Sequence, residues 1–412
     1  MAAVTLRTGC CVAGGGPAGV MLGFLLARAG VDVVVLEKHA DFLRDFRGDT
    51  IHPSTLELMR ELGLLDRFLE LPHQKVRTLY AGIGGRTYAV ADFGHLPQSC
   101  RFLAFMPQWD FLNFLAEQGR LYPTFTLKMK TEVDELIEEG GAVVGLRAIG
   151  PDGRIEVRAD LVVGADGRHS TVRERAGLPV EELGAPIDVL WFRLSHRSDD
   201  PEETLGRFDA GHIFIMINRG EHWQCAVVIP KGTIDRLKAK GLPAFRADVA
   251  RLAPSVADRV GEIADWDDVK LLTVQVDRLT RWCRPGLLCI GDAAHAMSPI
   301  GGVGINLAIQ DAVAAANILA APLREGRVAL ADLERVQRRR LFPTRVTQRF
   351  QILVQDRIIA RVLRGDRDFT APLPIRLLDR CPILRRLPAR LVGIGVRPEH
   401  VRIPESPSTV AR

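Results

Sequence analysis

The sequence lacks the cysteine patterns that hold zinc or form redox pairs. Its seven cysteines are scattered along 412 residues, and no two of them have zinc-ligand or CxxC spacing. Scattered cysteines of odd number are typical of proteins in a reducing compartment, so we expect a cytoplasmic protein without a metal site.

Long apolar runs and a strong net charge are also missing. No stretch of about 18 residues is apolar without polar interruption, so we predict no transmembrane helix. Glycines at 14–16 and Pro17 break the N-terminal apolar run, which argues against a signal peptide. The net charge is only +5, and eight arginines against three acidic residues from Arg376 onward supply all of it. The rest of the chain is neutral, so we expect no nucleic-acid partner.

Length and composition indicate more than one globular domain. The 412 residues exceed what one core usually serves, which is about 250–300 residues. The 47% apolar content is enough for sizeable cores. We therefore expect two domains.

The first 37 residues have the pattern of a βαβ unit. An apolar strand at 8–13 precedes a predicted helix at 17–29, and a β-branched run follows at 31–36. The intervening turn reads Gly14-x-Gly16-x-x-Gly19, and Glu37 ends the second strand. Glycines there permit a tight turn and let the backbone approach a pyrophosphate at the helix N-terminus. Glu37 can accept hydrogen bonds from ribose hydroxyls, so the unit predicts a dinucleotide site, for FAD or for NAD.

Two later segments combine a strand end, an acidic residue and glycines. Asp292 follows a buried strand at 286–290, and a glycine-rich turn at 301–304 opens a helix that reaches about residue 319. Asp166 and Gly167 follow a short strand at 161–163, and Ser170 opens a short helix. Taken alone, each segment is also explained by a capped structural turn.

The remaining chain divides into strand-rich and helical parts. We predict helices at 54–65 and 109–121, a hairpin at 142–157, and an antiparallel sheet over 186–279. Residues 331–363 are predicted to be helical with an apolar face at Val346, Phe350, Leu353 and Val354. We expect the chain from Pro404 onward to be loose.

Together, these segments resemble the flavoprotein monooxygenases of the para-hydroxybenzoate hydroxylase type. The similarity covers most of the chain, and its most specific block is GDAAHAMSPIGGVGINLAIQDA at 291–312. It implies an α/β fold: a Rossmann-type FAD-binding domain, a substrate domain with a mixed or antiparallel sheet, and a C-terminal helical segment. The boundaries we predict are 1–75, 102–185 and 280–320 for the FAD-binding domain, 76–101 and 186–279 for the substrate domain, and 321–412 for the helical region.

The resemblance also implies which residues hold FAD, without a covalent bond. Gly14, Gly16 and Gly19 would cradle the pyrophosphate and Glu37 the adenosine ribose. Arg47 and Gln108 would line the diphosphate and ribityl region, Asp292 would bind the ribityl chain, and Asp166 would lie where flavin and nicotinamide meet. Gly302, Gly304 and Asn306 would face the isoalloxazine. The remaining cofactor-binding positions are Pro17, Ala18, Pro299 and Ile305.

The implied reaction is hydroxylation of an aromatic or polycyclic small molecule. NADH or NADPH would reduce the flavin, dioxygen would form a flavin C4a-hydroperoxide, and one oxygen atom would pass to the substrate. Two departures from the family stand out: Ser298 replaces the first of two usual prolines, and no tyrosine pair for activating a phenol is identified among Tyr80, Tyr88 and Tyr122. His52, His212 and His222 fit core or surface positions better than that of a base, so the catalytic residue stays unassigned.

Other functions on the same fold remain open. A flavin-dependent halogenase is one, although the sequence has no lysine at 47–55 and lacks the second tryptophan of a WxWxIP signature at 223–230. A polyprenyl-type flavoprotein reductase and a non-enzymatic FAD-binding protein are others. For the basic C-terminal stretch we favour a helical cover with arginines in solvent; the alternative is contact with anionic lipid or an acidic substrate.

Overall fold

The computed structural model describes residues 4–43, 50–200, 205–209, 211–365 and 370–406. Its strands are β1 (Val4–Ala13), β2 (Val33–Leu36), β3 (Thr50–Ile51), β4 (Gln74–Val76), β5 (Thr78–Ile83), β6 (Arg86–Asp92), β7 (Leu103–Phe105), β8 (Phe125–Lys128), β9 (Glu132–Glu139), β10 (Ala142–Gly150), β11 (Gly153–Gly164), β12 (Val180–Glu182), β13 (Ile187–Ser195), β14 (Leu205–Asp209), β15 (His212–Asn218), β16 (His222–Pro230), β17 (Lys270–Thr273), β18 (Asp277–Leu279), β19 (Cys283–Arg284) and β20 (Leu287–Cys289). Its helices are α1 (Pro17–Arg28), α2 (Pro53–Glu61), α3 (Leu65–Leu69), α4 (Gln108–Arg120), α5 (Thr171–Arg175), α6 (Ile234–Ala239), α7 (Leu242–Leu252), α8 (Val303–Arg324), α9 (Leu330–Val354), α10 (Ala360–Leu363), α11 (Leu373–Arg380) and α12 (Arg386–Gly393).

A mostly parallel sheet forms the first layer and confirms the predicted α/β fold. Its strands follow the order β19-β20-β11-β1-β2-β8, and β1 pairs in parallel with both β2 and β11. The apolar β2 is buried along its whole length, and every residue of α1 from Ala18 to Ala27 is buried. Helices α1 and α8 pack together, so the first glycine turn and the later helix share one core.

Strand β11 differs from the prediction of a hairpin arm followed by a separate short strand. It runs unbroken because no turn residue interrupts its alternating sequence, and it changes neighbours along its length. Residues from Gly153 to Arg158 pair with β10, whereas Val162 to Gly164 pair with β20. The helix predicted at 54–65 is likewise two helices, because Gly63 adopts a φ of +71° between α2 and α3.

A seven-stranded sheet forms a second layer, in the order β17-β13-β16-β15-β14-β5-β6. Only the pair β14–β5 is parallel. One face carries Phe192, Phe214 and Trp223 and packs on α7 and the 3-10 segment Pro254–Glu262. The other face carries Trp191 and Ile215 and is turned toward the glycine-rich turn and the C-terminal helices. All strands of this sheet fall within 78–92 and 187–273, and we propose the domain boundaries given above on that basis.

Helix α9 is helical as predicted, but the predicted apolar face is wrong. Leu353 is 54% exposed, and the buried stripe contains Arg340, Gln348 and Gln351. This stripe is polar because it packs on loop backbone and on a buried carboxylate rather than on apolar side chains.

The end of the described chain is bound, in contrast to the loose tail that was predicted from Pro404. Residues 397–406, here called the C-terminal strap, run without helix or strand over the first layer. Arg28 donates to the Ile403 carbonyl at 3.1 Å, and the Tyr122 hydroxyl donates to Glu405 at 2.8 Å. Residues 407–412 lie outside the described part.

One helical stretch of the described chain, Ile300–Arg324, has the length and apolarity of a membrane span. Within it, 78% of the most apolar 18-residue window is buried inside the protein, as expected for a core helix.

Candidate functional site

The first glycine turn uses its three glycines in different ways. Gly14 has a φ of +102°, and a Cβ there would lie 2.4 Å from the Ala165 carbonyl oxygen. A Cβ on Gly19 would lie 1.9 Å from the Gly14 oxygen. Gly16, in contrast, has no atom nearer than 4.0 Å to an added Cβ. The protein backbone therefore requires two of the glycines, and the third leaves space above the helix.

That space lies over the N-terminus of α1. The helix begins at Pro17 without a capping side chain and without an acidic residue in its first turn. Its first N–H groups therefore remain available to an anion, and the helix dipole favours one. This open cradle fits the pyrophosphate of FAD.

Glu37 is fixed at the end of β2 beside this turn. It is 8% exposed, and its carboxylate accepts hydrogen bonds from the Gly15 N–H at 2.9 Å and the His39 N–H at 3.0 Å. A carboxylate accepts hydrogen bonds, and ribose hydroxyls are donors that suit it.

Asp166 lies against the first glycine turn, but its carboxylate serves its own loop. A Cβ on Gly14 would approach the Asp166 Cα to 2.7 Å. The carboxylate accepts from the Ser170 hydroxyl and from the Val172 N–H at 3.1 Å. Burial raises the pKa of Asp166 above its ordinary value, and these hydrogen bonds oppose the rise. Asp166 therefore ties the end of β11 to the start of α5.

Asp292 occupies the 3-10 turn Gly291–Ala293, directly after β20. Its side chain is 32% exposed, and Arg168 of the Asp166-Gly167 segment reaches it at 3.5 Å. The carboxylate is thus oriented yet still open to solvent, which suits a polar chain such as ribityl.

The glycine-rich turn opens α8 and is tied to a distant segment by Asn306. Gly301 and Gly302 have φ of +77° and +61°. The Asn306 amide oxygen accepts from the His52 N–H at 2.9 Å and the Thr55 hydroxyl at 2.7 Å. Its amide nitrogen donates to the Thr50 and Gly302 carbonyls at 2.9 and 3.3 Å. These four hydrogen bonds clamp the turn, and the expectation that Asn306 faces the isoalloxazine stays a prediction.

A row of glutamines on α9 and on the helical turn that directly follows it, Gln355–Ile359, holds the loop before this turn. Gln351 accepts from the Ser298 N–H at 3.1 Å and donates to the Ser298 and Ile300 carbonyls at 2.8 and 3.0 Å. Gln355 donates to the Ser298 hydroxyl at 2.8 Å, and Gln348 donates to the Ala296 carbonyl at 3.2 Å. A proline at 298 would offer neither the N–H nor the hydroxyl. Two of the hydrogen bonds that the glutamines make therefore depend on serine at this position.

A buried charge network lies behind Asp292. Asp311 accepts from the Gly291 N–H at 3.1 Å, from His295 Nε2 at 2.6 Å and from Arg340 Nε at 2.8 Å. Burial alone would raise the pKa of Asp311, but His295 and Arg340 outweigh burial and lower it. Arg340 also reaches Glu399 of the C-terminal strap at 3.4 Å. His295 therefore belongs to this buried network.

The apolar side of the site lies between the two layers. Residues 296–300, which precede the glycine-rich turn, are here called the flavin-side loop. Trp191 and Ile215 of the seven-stranded sheet pack with Ile300 of this loop and with Val392 of α12. All four side chains are partly exposed. They form an apolar wall next to the glycine-rich turn.

The other predicted positions are placed as follows. Gln108 is the half-buried first residue of α4. Pro17 and Ala18 start α1, and Pro299, Gly304 and Ile305 flank the glycine-rich turn. Arg47 falls outside the described residues. The glutamine row, Arg168 and Asn306's clamp were not predicted, although the 3- and 4-residue spacing of the glutamines is visible in the sequence.

The candidate bases have other partners. His52 is 1% exposed and donates from Nδ1 to the Val392 carbonyl at 2.7 Å. His212 lies 3.0 Å from Arg251, and Tyr88 lies under the Arg86 guanidinium at 5.2 Å. Tyr80 is 41% exposed. The geometry assigns none of them to the chemistry.

Comparison with known proteins identifies the family of this chain. The family described as FAD binding domain matches residues 7–350. The 6-methylpretetramide 4-monooxygenase of Streptomyces rimosus is 35% identical over 387 residues, which cover 92% of each chain.

Two solved structures share the fold. The anhydrotetracycline hydroxylase OxyS from Streptomyces rimosus gives a TM-score of 0.74 at 24% identity, over 94% of this chain and 76% of that one. The p-nitrophenol 4-monooxygenase PnpA from Pseudomonas putida gives 0.73 at 21% identity, over 95% of this chain and 100% of that one.

Proposed function

The chain belongs to the FAD binding domain family and is an FAD-dependent monooxygenase, and from this premise we propose that it hydroxylates an aromatic ring of a polycyclic, polyketide-like molecule. The observation that carries the substrate class is the 35% identity, across 92% of both chains, with an enzyme named 6-methylpretetramide 4-monooxygenase. The apolar wall of Trp191 and Ile215 suits a flat aromatic molecule.

The cofactor supplies the redox chemistry, taking electrons from NADH or NADPH and activating dioxygen. The chain binds and orients it. The α1 cradle and Glu37 would hold the adenosine half, and Asp292 would hold the ribityl chain. The clamp of Asn306 and the glutamine row fix the glycine-rich turn, which would contact the ring system. The apolar wall excludes water from the reacting face.

Two reactions test the assignment. NADH and NADPH are each mixed with the FAD-loaded protein without oxygen, with and without a panel of polycyclic phenols. We expect the flavin absorbance to bleach and air to restore it. With a substrate and labelled dioxygen, the product should gain one labelled oxygen atom. Product that forms only with halide, and reduction only by a separate flavin reductase, would make the protein a halogenase instead.

The apolar wall gives a variant that separates substrate binding from flavin reduction. Ile215→Trp would fill the space beside the wall, so hydroxylation of a polycyclic substrate should fall while flavin reduction by the nicotinamide continues. Ile149→Trp, at a 51% exposed site on β10, is the matched control and should keep both steps. Equal hydroxylation by the Ile215 variant would place the substrate elsewhere.

A further inference from the structure

The C-terminal helices expose large apolar side chains on their outer side. Leu373, Leu377, Ile383 and Leu387 are 66%, 43%, 66% and 67% exposed. Single exposed leucines are ordinary on a soluble protein, but four within 15 residues form a patch. We call this patch, with the exposed arginines among and directly after its members, the C-terminal face; those arginines are Arg376, Arg380, Arg386 and Arg390.

These apolar side chains are not needed to pack the helices. The inner side of α11 packs through Ile375 on the cluster of Ala81 and Ile83. The inner side of α12 packs through Ala389, which is fully buried, and through Gly393, where an added Cβ would lie 2.9 Å from Leu96. The two helices thus already have an apolar inner side, and the outer leucines are surplus to the fold.

The charge on this face has one sign. Asp379 is the single acidic residue within 371–398. It is turned inward, where it accepts from the Ala89 N–H at 3.1 Å and lies 3.6 Å from Arg86. A two-fold dimer across the face would set arginine against arginine, because both partners present the same patch. A partner surface that is negatively charged outside and apolar beneath would match both the arginines and the exposed aliphatic side chains.

We propose that the C-terminal face docks on the surface of an anionic lipid bilayer. The aliphatic side chains enter the boundary between headgroups and acyl chains, and the arginines contact lipid phosphates. Leu391 and Val392 of the same helix line small cavities beside Gly301 and Val303. Docking would therefore place the bilayer against a helix that itself contacts the flavin-side loop. The proposal does not depend on the identity of the substrate.

Vesicle sedimentation of the FAD-loaded full chain tests the proposal. Vesicles of phosphatidylcholine alone are compared with vesicles that also contain phosphatidylglycerol. We expect pelleting with the anionic vesicles and little with the neutral ones. Pelleting should decline as salt is raised, because salt screens the arginines. Absence of pelleting, or equal pelleting with both vesicles, would overturn the proposal.

Two double variants assign the binding to this face. Ile383→Ser with Leu387→Ser removes apolar contact, and Arg386→Glu with Arg390→Glu reverses charge. Each pair should lower the partition coefficient on anionic vesicles by roughly tenfold or more. The positions are solvent-exposed, so flavin content and unfolding temperature should match those of the wild type and show that the variants are folded.

Matched controls carry the same changes on other surfaces. Leu121→Ser with Ile149→Ser changes side chains that are 57% and 51% exposed, and Arg154→Glu with Arg327→Glu reverses two exposed charges. These variants should bind vesicles like the wild type, and equal loss in the controls would reject this face. Light scattering is measured on the same samples. A wild-type dimer that becomes a monomer in the serine variant, without vesicle binding, would make the face a subunit interface and overturn the proposal.

Discussion

His52 shows how strongly burial determines the chemistry of one residue in this fold. Burial lowers its pKa from the ordinary 6.5 to about 4. The ring is therefore neutral in the folded protein at pH 5, whereas it is mostly protonated in the unfolded chain. The stability that depends on a neutral His52 is fully present above pH 6.5 and is lost as the pH falls toward about 4.

Replacing His52 should remove this pH dependence. His52→Asn keeps a donor for the Val392 carbonyl but cannot titrate. Between pH 7 and pH 5 we expect the wild type to lose about 2 kcal/mol more unfolding free energy than the variant. Urea titrations of both proteins at the two pH values, at saturating FAD, measure the difference. Parallel losses would show that His52 is not the titrating group.

Asp292 gives a prediction on cofactor affinity. Asp292→Ala removes a charged acceptor for ribityl hydroxyls, and such hydrogen bonds contribute about 1.5–3 kcal/mol, so FAD should bind roughly tenfold or more weakly. Fluorescence titration of the apoprotein with FAD measures this. Asp160→Ala, at an exposed position of the same domain, should change nothing. Unchanged affinity in the Asp292 variant would show that Asp292 shapes the turn and does not contact FAD.

The role of a single residue can be predicted from the sequence where the residues that define it lie close together along the chain. The turn of Gly14, Gly16 and Gly19 is defined by three residues and the helix that follows, and the structure has that turn and helix. Asn306 and His52 are different, because their partners lie more than 250 and 300 residues away along the chain. No spacing rule links such positions, so their roles become visible only in the folded chain.

At the scale of single elements, α9 shows why an apolar pattern can mislead. Val346, Phe350 and Leu353 have helical spacing, yet the helix buries a polar stripe. Periodicity identifies a helix, but which side is buried depends on what lies opposite. Here the opposite surface is the backbone of 296–300, which offers carbonyls and N–H groups rather than apolar side chains.

The glutamine row should therefore control FAD affinity. Gln351→Leu leaves the Ser298 N–H and two carbonyls without their partners, and each such loss costs about 1–3 kcal/mol. We expect FAD to bind at least about tenfold more weakly at a temperature where the variant is folded. Fluorescence titration together with thermal unfolding provides both measurements.

Gln337→Leu is the matched control on the same helix. Gln337 bonds the Trp282 N–H at 3.0 Å and the Thr280 carbonyl at 2.9 Å, away from the flavin-side loop. This variant should lose stability while keeping FAD affinity. Equal loss of affinity in both variants would mean that α9 acts only through general stability.

At the scale of the whole molecule, the C-terminal strap connects distant parts of the first layer. Glu399 pairs with Arg339 at 2.6 Å and with the buried Arg340, and His400 pairs with Glu61. A chain ending at Pro398 should lose several kcal/mol of unfolding free energy, because Arg340 would keep only part of its buried ion pairing. A chain ending at Ser406 keeps the strap and should match the full chain. Urea unfolding and FAD titration of both chains test this, and equal behaviour of the two truncations would show that the strap is dispensable.

The overall architecture could be predicted from the sequence, whereas the path of the C-terminal strap could not. Alternating strands and helices with turn residues between them indicate an α/β fold and a second sheet. The strap contains neither helix nor strand, and its contacts are single side chains such as Glu399 and Glu405. Such a segment has no periodic signal that distinguishes it from a free tail.

The order in which the strap and its partners are synthesised also bears on how the protein is made. Arg340 donates to Asp311, and Asp311 also accepts from the Gly291 N–H. Glu399 of the strap forms the second ion pair of Arg340. At about 5–20 residues per second, the ribosome makes the glycine turn of α1 long before it makes Glu399. The growing chain therefore holds a charged Arg340 without its final partner. We expect flavin uptake to be completed only after Glu399 has been synthesised, so a ribosome-stalled chain lacking the strap should bind FAD more weakly than the chain that contains it.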